Sequence, residues 1–290
     1  MNGLLIIDKP TGMTSHDVVS IVRRATGERS VGHLGTLDPM ATGVLPLLLG
    51  KYTRLAQFFS DSDKYYTGTI RFGFATDTFD AEGERQSAPR PLALTLEQLR
   101  TLAERFHGII DQVPPAYSAK KIGGVPAHKL ARAGKEVPVK AARIMIHSFT
   151  LDSLEGDTAS FTIHVSAGGY VRSVAHELGQ HAECGAHLAS LRRTQAGPFT
   201  LAHSLTVDEL KALSPAEIEM RLPHPRGMLP DLPSVIVDEL TAGRIRNGMQ
   251  VNVQELSSAP LIKIFSGPRD LLCIARRIAG TLVQPVVVLG

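Results

Sequence analysis

The stretch that most limits what this chain can become runs from Val31 to Gly50, VGHLGTLDPMATGVLPLLLG. It sets a lone acid, Asp38, among Gly32, Gly35, Pro39 and Gly43, and follows it with an apolar wall. Glycine permits backbone geometries and close approaches that a side chain would block, and a proline directly after the acid drives Asp38 to extended dihedrals. The carboxylate is therefore held out from a tight loop rather than laid along a helix. Taken alone, an Asp-Pro most often only caps the segment after it, so the rest of the chain has to say whether this acid does more.

At 290 residues the chain can bury one large core with room for a smaller second unit. A net charge of +3 permits nucleic acid as a partner without requiring it, so the distribution of charge matters more than its sum. No apolar run reaches bilayer length, and the N-terminus MNGLLIIDKP has neither the basic region nor the cleavage site of a signal peptide, which points to the cytosol. Cys184 and Cys273 are too isolated to build a disulfide framework.

Along the chain, Gly3 to Ile7 reads as a buried strand stopped by a turn, and Ser15 as the cap of a helix carrying Val18, Ile21, Val22 and Ala25, closed by Gly27. Thr53 to Phe59 reads as helical. Tyr66 to Phe72 alternates as a strand, with Tyr66, Gly68, Ile70 and Phe72 on one face. Thr95 with Gln98, Thr206 with Glu209 and Ser214-Pro215 with Glu217 are helix-start signatures. Ile144–Leu151 and Thr158–Val165 form a hairpin, and a helix with Val171, Val174, Ala175 and Leu178 on one face follows. Between 117 and 143, Lys120, Lys121, Lys129, Arg132, Lys135, Lys140 and Arg143 stand against the single acid Glu136, which suits a phosphate-binding arm as well as a solvated loop. Prolines 223, 225, 230 and 233 mark a boundary before a Val- and Ile-rich β module.

The string His33-x-Gly-Thr-Leu-Asp38-Pro-x-Ala-x-Gly resembles the catalytic-aspartate motif of the pseudouridine synthases, and among them the bacterial tRNA pseudouridine-55 type. The resemblance extends over most of residues 3 to 200. Lys9-Pro10-Thr11-Gly12-Met13-Thr14-Ser15 is similar to the family's N-terminal motif, and Asp61 to Tyr66, which contains Lys64, matches the segment with its active-site tyrosine, here Tyr66. Gly169-Tyr170-Val171-Arg172 matches the segment with its active-site arginine, here Arg172, and Leu188 to Arg193, with Leu191, matches a pocket-lining stretch. One departure is Ala167-Gly168-Gly169, where relatives carry Lys-Gly-Thr. His33 resembles the residue that stacks in the gap left by an extruded base, and Asp80 a pocket residue near that base.

The chemistry explains why these residue types belong together. Making pseudouridine breaks a uridine's N-glycosidic bond, turns the base and rejoins it through carbon. An ionised carboxylate can bond to C1′ or take a proton from the sugar meanwhile. A guanidinium favours the charged carboxylate and gives up no proton of its own, and a tyrosine can stack on the pyrimidine and move the last proton. The resemblance thus implies an α+β catalytic domain at 1–229 with a mixed, largely antiparallel sheet and flanking helices, and a small β-rich PUA-like domain at 234–290. It implies Asp38, Tyr66 and Arg172 as catalytic residues, and His33, Lys64, Asp80, Lys120, Lys121, Lys129, Tyr170 and Leu191 as RNA contacts. The implied substrate is uridine 55 in the tRNA T-stem-loop, extruded from its stack, with no cofactor, no metal, no membrane and a monomeric chain. A guide-RNA-dependent synthase and a non-catalytic RNA chaperone are the competing readings. His176, His181, Cys184 and His187 have spacings that could ligate zinc, but they span a helix and its end without a second cysteine pair.

Overall fold

The computed structural model describes residues 1–86, 88–115, 117, 121–122, 125–126, 130 and 140–290. Most of the expected arm, including Lys120, Lys129, Arg132 and Lys135, lies outside the described residues, as does the side chain of Lys121. The first half of the chain comprises β1 (Gly3–Lys9), α1 (Ser15–Thr26), β2 (Val31–His33), β3 (Thr42–Leu49), β4 (Lys64–Phe72), α2 (Leu96–Ala103) and β5 (Gly108–Gln112). A short pair, β6 (Lys121–Ile122) and β7 (Val125–Pro126), precedes the long hairpin of β8 (Ala142–Glu155) and β9 (Thr158–Val165). Then come α3 (Val171–His181), β10 (Ala186–Ala196), β11 (Phe199–Thr200), β12 (Leu205–Thr206), α4 (Val207–Ala212) and α5 (Pro215–Arg221).

Among the described residues, ten strands form one sheet in the order β12-β1-β3-β10-β4-β9-β8-β5, with β2 added to β3 and β11 to β10. The pairs β1/β12 and β3/β10 are parallel and the other pairs are antiparallel. The molecule is therefore α+β with a mixed, largely antiparallel sheet, as its sequence implies.

The uninterrupted apolar runs of β1 and β3 follow from burial on both faces. Leu5, Ile7, Leu45, Leu47 and Leu49 enter a core with Val18, Val19 and Val22 of α1. Their neighbours Leu4, Ile6, Val44 and Leu48 enter a second cluster with Phe265, Leu271, Ile274 and Val287. Those last four belong to a five-stranded curled sheet of β13 (Ser234–Ile236), β14 (Val251–Asn252), β15 (Leu261–Phe265), β16 (Leu271–Ala279) and β17 (Leu282–Val288), with α6 (Glu239–Arg246) beside it. The proline-rich connection is pinned by the buried Lys263, whose Nζ donates to the carbonyls of Arg226, Met228 and Leu229 at 2.7, 2.9 and 3.0 Å.

Three capping boxes form as the sequence predicts, at Thr95, Thr206 and Ser214. Two details differ. The cap of α1 is Thr14, which shares a capping box with Asp17, and Ser15 is the first helical residue. The expected helix at 53–59 is a 3-10 helix spanning Gly50–Phe58. Among the described residues no helix is long and apolar enough to cross a membrane.

Candidate active site

Asp38 occupies the turn between β2 and β3, and buried polar groups fix that turn from both sides. Ser15 Oγ accepts a hydrogen bond from Leu37 N (2.8 Å) and donates to Leu37 O (3.0 Å). Its conversion from cap to clamp is the reason Thr14 caps the helix instead. The fully buried Lys9 ammonium donates to Pro39 O (3.1 Å), Pro10 O (2.9 Å) and Met13 O (2.6 Å). Burial pushes its pKa down to about 8, against the pull of Asp38. On the other side Arg193, 1% exposed, donates through Nε to Val44 O (2.7 Å) and through Nη2 to Gly35 O (3.0 Å). Gly43 must be glycine twice over: its φ is +103°, and a Cβ there would lie 2.2 Å from the backbone oxygen of Arg193.

Arg172 comes from the first turn of α3, where Tyr170 caps the helix without a side-chain bond. The backbone of Tyr170 is held instead by the buried Gln112, whose amide accepts from Tyr170 N (2.7 Å) and donates to Tyr170 O (3.0 Å). The guanidinium of Arg172, 5% exposed, lies against Asp38: Nη2 donates to Oδ1 (3.2 Å), and Nε sits 2.9 Å from Oδ2, off the hydrogen-bond axis, as an ionic contact. Its other donors go to Thr78 O (3.1 Å), Tyr117 O (3.0 Å) and Asp80 Oδ2 (3.4 Å). Asp38 keeps 35% of its side chain open to a cavity but is otherwise enclosed by protein. That enclosure raises its pKa above the usual carboxylate value, with Arg172 pulling the other way.

The cavity measures about 230 Å³, and Asp38 and Arg172 share its wall with Tyr66, Lys64, Leu191 and Tyr170. Six residues expected from four separate motifs thus meet around one space. Burial lowers the pKa of Lys64, aided by the nearby Arg193. Two further expected residues stand apart. Asp80 is buried behind Arg172, its Oδ1 accepting from Thr78 Oγ1 (2.6 Å) and Glu82 N (3.1 Å), so it orients the arginine. His33 lies half-buried in β2 outside the cavity lining, and burial lowers its pKa. Ser15, Gln112 and Arg193 are positioning residues; Ser15 and Arg193 fall inside matched motifs and Gln112 in none, and each acts on a segment far away in sequence.

The zinc spacing does not become a ligand set. His176 stacks on Phe79 at 3.8 Å between ring centres, His181 meets the edge of Phe106, and His187 Nδ1 lies 3.1 Å from Phe74 O. Among the described residues these side chains do not converge.

Comparison with known proteins identifies the family. Residues 23–171 match the family model for the N-terminal domain of TruB family pseudouridylate synthases, and residues 172–222 match that for the C-terminal domain of tRNA pseudouridylate synthase B. The chain is 45% identical to the tRNA pseudouridine synthase B of Solibacter usitatus over all of both chains. It is 41% identical to that of Aromatoleum aromaticum over 93% of this chain and 87% of the relative. Among solved structures, the archaeal box H/ACA sRNP Nop10-Cbf5 complex contains a chain of the same fold, with a TM-score of 0.71 and 21% identity over 99% of this chain and 86% of that one. By sequence over its length, the chain belongs to the TruB family of pseudouridylate synthases.

Proposed function

We propose that the protein converts uridine 55 in the T-loop of tRNA to pseudouridine, with Asp38 as the essential carboxylate. The observation that carries this reading is a single acid, open to a nucleoside-sized cavity and held by a buried guanidinium, with Tyr66 and Leu191 in the same lining. In duplex or loop RNA such an acid reaches C1′ only if the nucleotide leaves its stack. The C1′–N1 bond breaks while Asp38 bonds to C1′ or takes a sugar proton. The freed uracil turns and a C1′–C5 bond forms as the bond to Asp38 breaks or the sugar proton returns, and the C5 proton is lost while N1 takes one up, which restores the aromatic base. The atoms balance without a co-reactant. Arg172 favours the ionised acid, Tyr66 stacks on the base and relays the C5 proton, and Tyr170 and Leu191 close the pocket. Lys64 and the basic residues Lys120, Lys121 and Lys129 meet phosphates, and His33 fills the gap in the T-loop.

The same reading divides the chain into a catalytic unit at 1–229 and a PUA-like RNA-binding unit at 234–290, acting as a monomer in the cytosol without metal or organic cofactor in the reaction. Tritium release from a T-loop transcript labelled at C5 of uridine tests it. Protein alone should release tritium, and Asp38→Asn should release none while binding RNA as before. Release that survives Asp38→Asn removes this acid from the mechanism, and no release by the wild type favours a chaperone or a guide-dependent enzyme.

A further inference from the structure

The long hairpin carries an irregularity that no part of the proposed reaction uses. Across β8 and β9 the pairing runs Ile146↔Val165, then Ser148↔His164, so His147 is an extra residue in β8. The flanking Ile146 and Phe149 both enter the core, although three positions apart in a strand they would ordinarily face opposite ways. A bulge resolves the conflict by turning both His147 and Ser148 outward, and bulges commonly re-aim side chains near functional sites.

The re-aimed His147 stacks on His164 at 4.2 Å between ring centres, and His164 stacks in turn on Tyr65 at 3.9 Å. Both imidazoles bring Nε2 to one carboxylate oxygen, Asp63 Oδ2: His164 shares a hydrogen bond with it at 2.9 Å, and His147 lies 3.1 Å away as an ionic contact. Among the described residues this is the one group of histidine, cysteine or carboxylate side chains whose donor atoms converge, all within 4.8 Å of one another.

We propose that Asp63, His147 and His164 form a binding site for a divalent transition metal of the zinc class. Two imidazole nitrogens and one carboxylate suit zinc, cobalt, nickel and iron(II). A tetrahedral ion with bonds of about 2.0–2.1 Å spaces its donors roughly 3.3 Å apart, close to the two nitrogen–oxygen distances here, and binding also requires the stacked imidazoles, their planes 24° apart, to rotate toward one ion. His147 and Asp63 keep 38% of their side chains exposed, and that open side gives the ion its remaining positions. The site lies at the end of the sheet where Asp63 precedes the cavity residue Lys64, and Asp63 O accepts from Gly197 N (2.8 Å). A bound ion would therefore tie β4, β8 and β9 together beside the cavity wall.

Metal-stripped full-length protein titrated with zinc chloride in a calorimeter, and separately with cobalt chloride in a spectrophotometer, tests this. The wild type should take one tightest ion per chain and show cobalt d–d absorption. His147→Ala and His164→Ala should each weaken zinc binding at least tenfold and abolish the cobalt bands. Zinc should raise the melting temperature of the wild type and not of these variants. The exposed His203→Ala should behave as the wild type. His147→Gln, which keeps a side chain of similar length on the bulge, should lose the ion without loss of fold. A wild type without one-site binding, or binding that survives both histidine substitutions, overturns the proposal.

Discussion

Replacing Arg172 with methionine separates the guanidinium's effect on Asp38 from its bulk. Two unit charges 4 Å apart attract by about 4 kcal/mol at the effective dielectric found near protein surfaces. Asp38 keeps 35% of its side chain open, and solvent screening reduces that attraction by roughly half, to about 2 kcal/mol. At 1.36 kcal/mol per decade this changes the ratio of ionised to protonated Asp38 by about 30-fold. Enclosure already raises the Asp38 pKa above the usual carboxylate value, and Arg172 is the largest influence opposing it. The sign is therefore fixed. A reaction that needs the carboxylate loses rate as pH falls through the raised pKa, and Arg172→Met should move that acid limb to higher pH. Arg172→Lys keeps a positive charge but not the fork that reaches Thr78 O and Tyr117 O, so its acid limb should move less while its plateau rate still falls. Single-turnover tritium release with saturating enzyme, measured from acid to neutral pH, reads both effects. An acid limb that stays in place or moves down in a folded Arg172→Met protein refutes the assignment of Arg172 as the charge partner.

Four other outcomes follow from the loop and the core. Ser15→Ala leaves the buried Leu37 N–H without its acceptor and should destabilise by about 1–3 kcal/mol, seen in thermal melts, with a slower single-turnover rate as the Asp38 turn loosens. Gly43→Ala should be severely destabilised, since its Cβ meets backbone at 2.2 Å, whereas Gly248→Ala, at φ +73° with nothing within 4 Å, should lose only about 1–3 kcal/mol of backbone strain; equal losses would sink the steric argument. Because the second cluster mixes residues of both sheets, Phe265→Ala should lower stability by about 3–5 kcal/mol and shift one cooperative unfolding transition, not melt the C-terminal sheet alone. Lys9 has a folded pKa of about 8 against 10.5 for the free side chain, so between those values the unfolded chain holds the proton and stability from this group rises with pH; denaturation across that window should show the rise in wild type and not in Lys9→Met.

The sequence made the acid and its guanidinium legible and left hidden the contacts that hold them, for a physical reason. Asp38 announces itself through local composition, since glycines and a proline around one carboxylate constrain the backbone within a few residues. The same locality reveals the capping boxes at Thr95, Thr206 and Ser214, where donor and acceptor are three residues apart. Ser15 to Leu37, Gln112 to Tyr170 and Arg193 to Gly35 span 22, 58 and 158 residues. Such pairs exist only after the sheet has assembled, and no periodicity records them. Even Ser15 reads as a cap because its residue type suits that role, and only the approach of Leu37 gives its hydroxyl another use.

The bulge at His147 shows where the boundary lies between the two cases. Ile144 and Ile146 sit at even positions of β8 while Phe149 and Leu151 sit at odd ones, yet all four are in the core. A strand with a strict period of two cannot bury both sets, so the switch of parity between 146 and 149 is a written sign that one residue is extra. Which residue it is, and what it then faces, depends on the partner strand's register, which places His164 opposite and Asp63 at its end. The alternation therefore carries the existence of the irregularity, and the assembled sheet supplies its chemical consequence: two imidazoles of a hairpin legible in the sequence are brought against a carboxylate that lies 101 residues before His164.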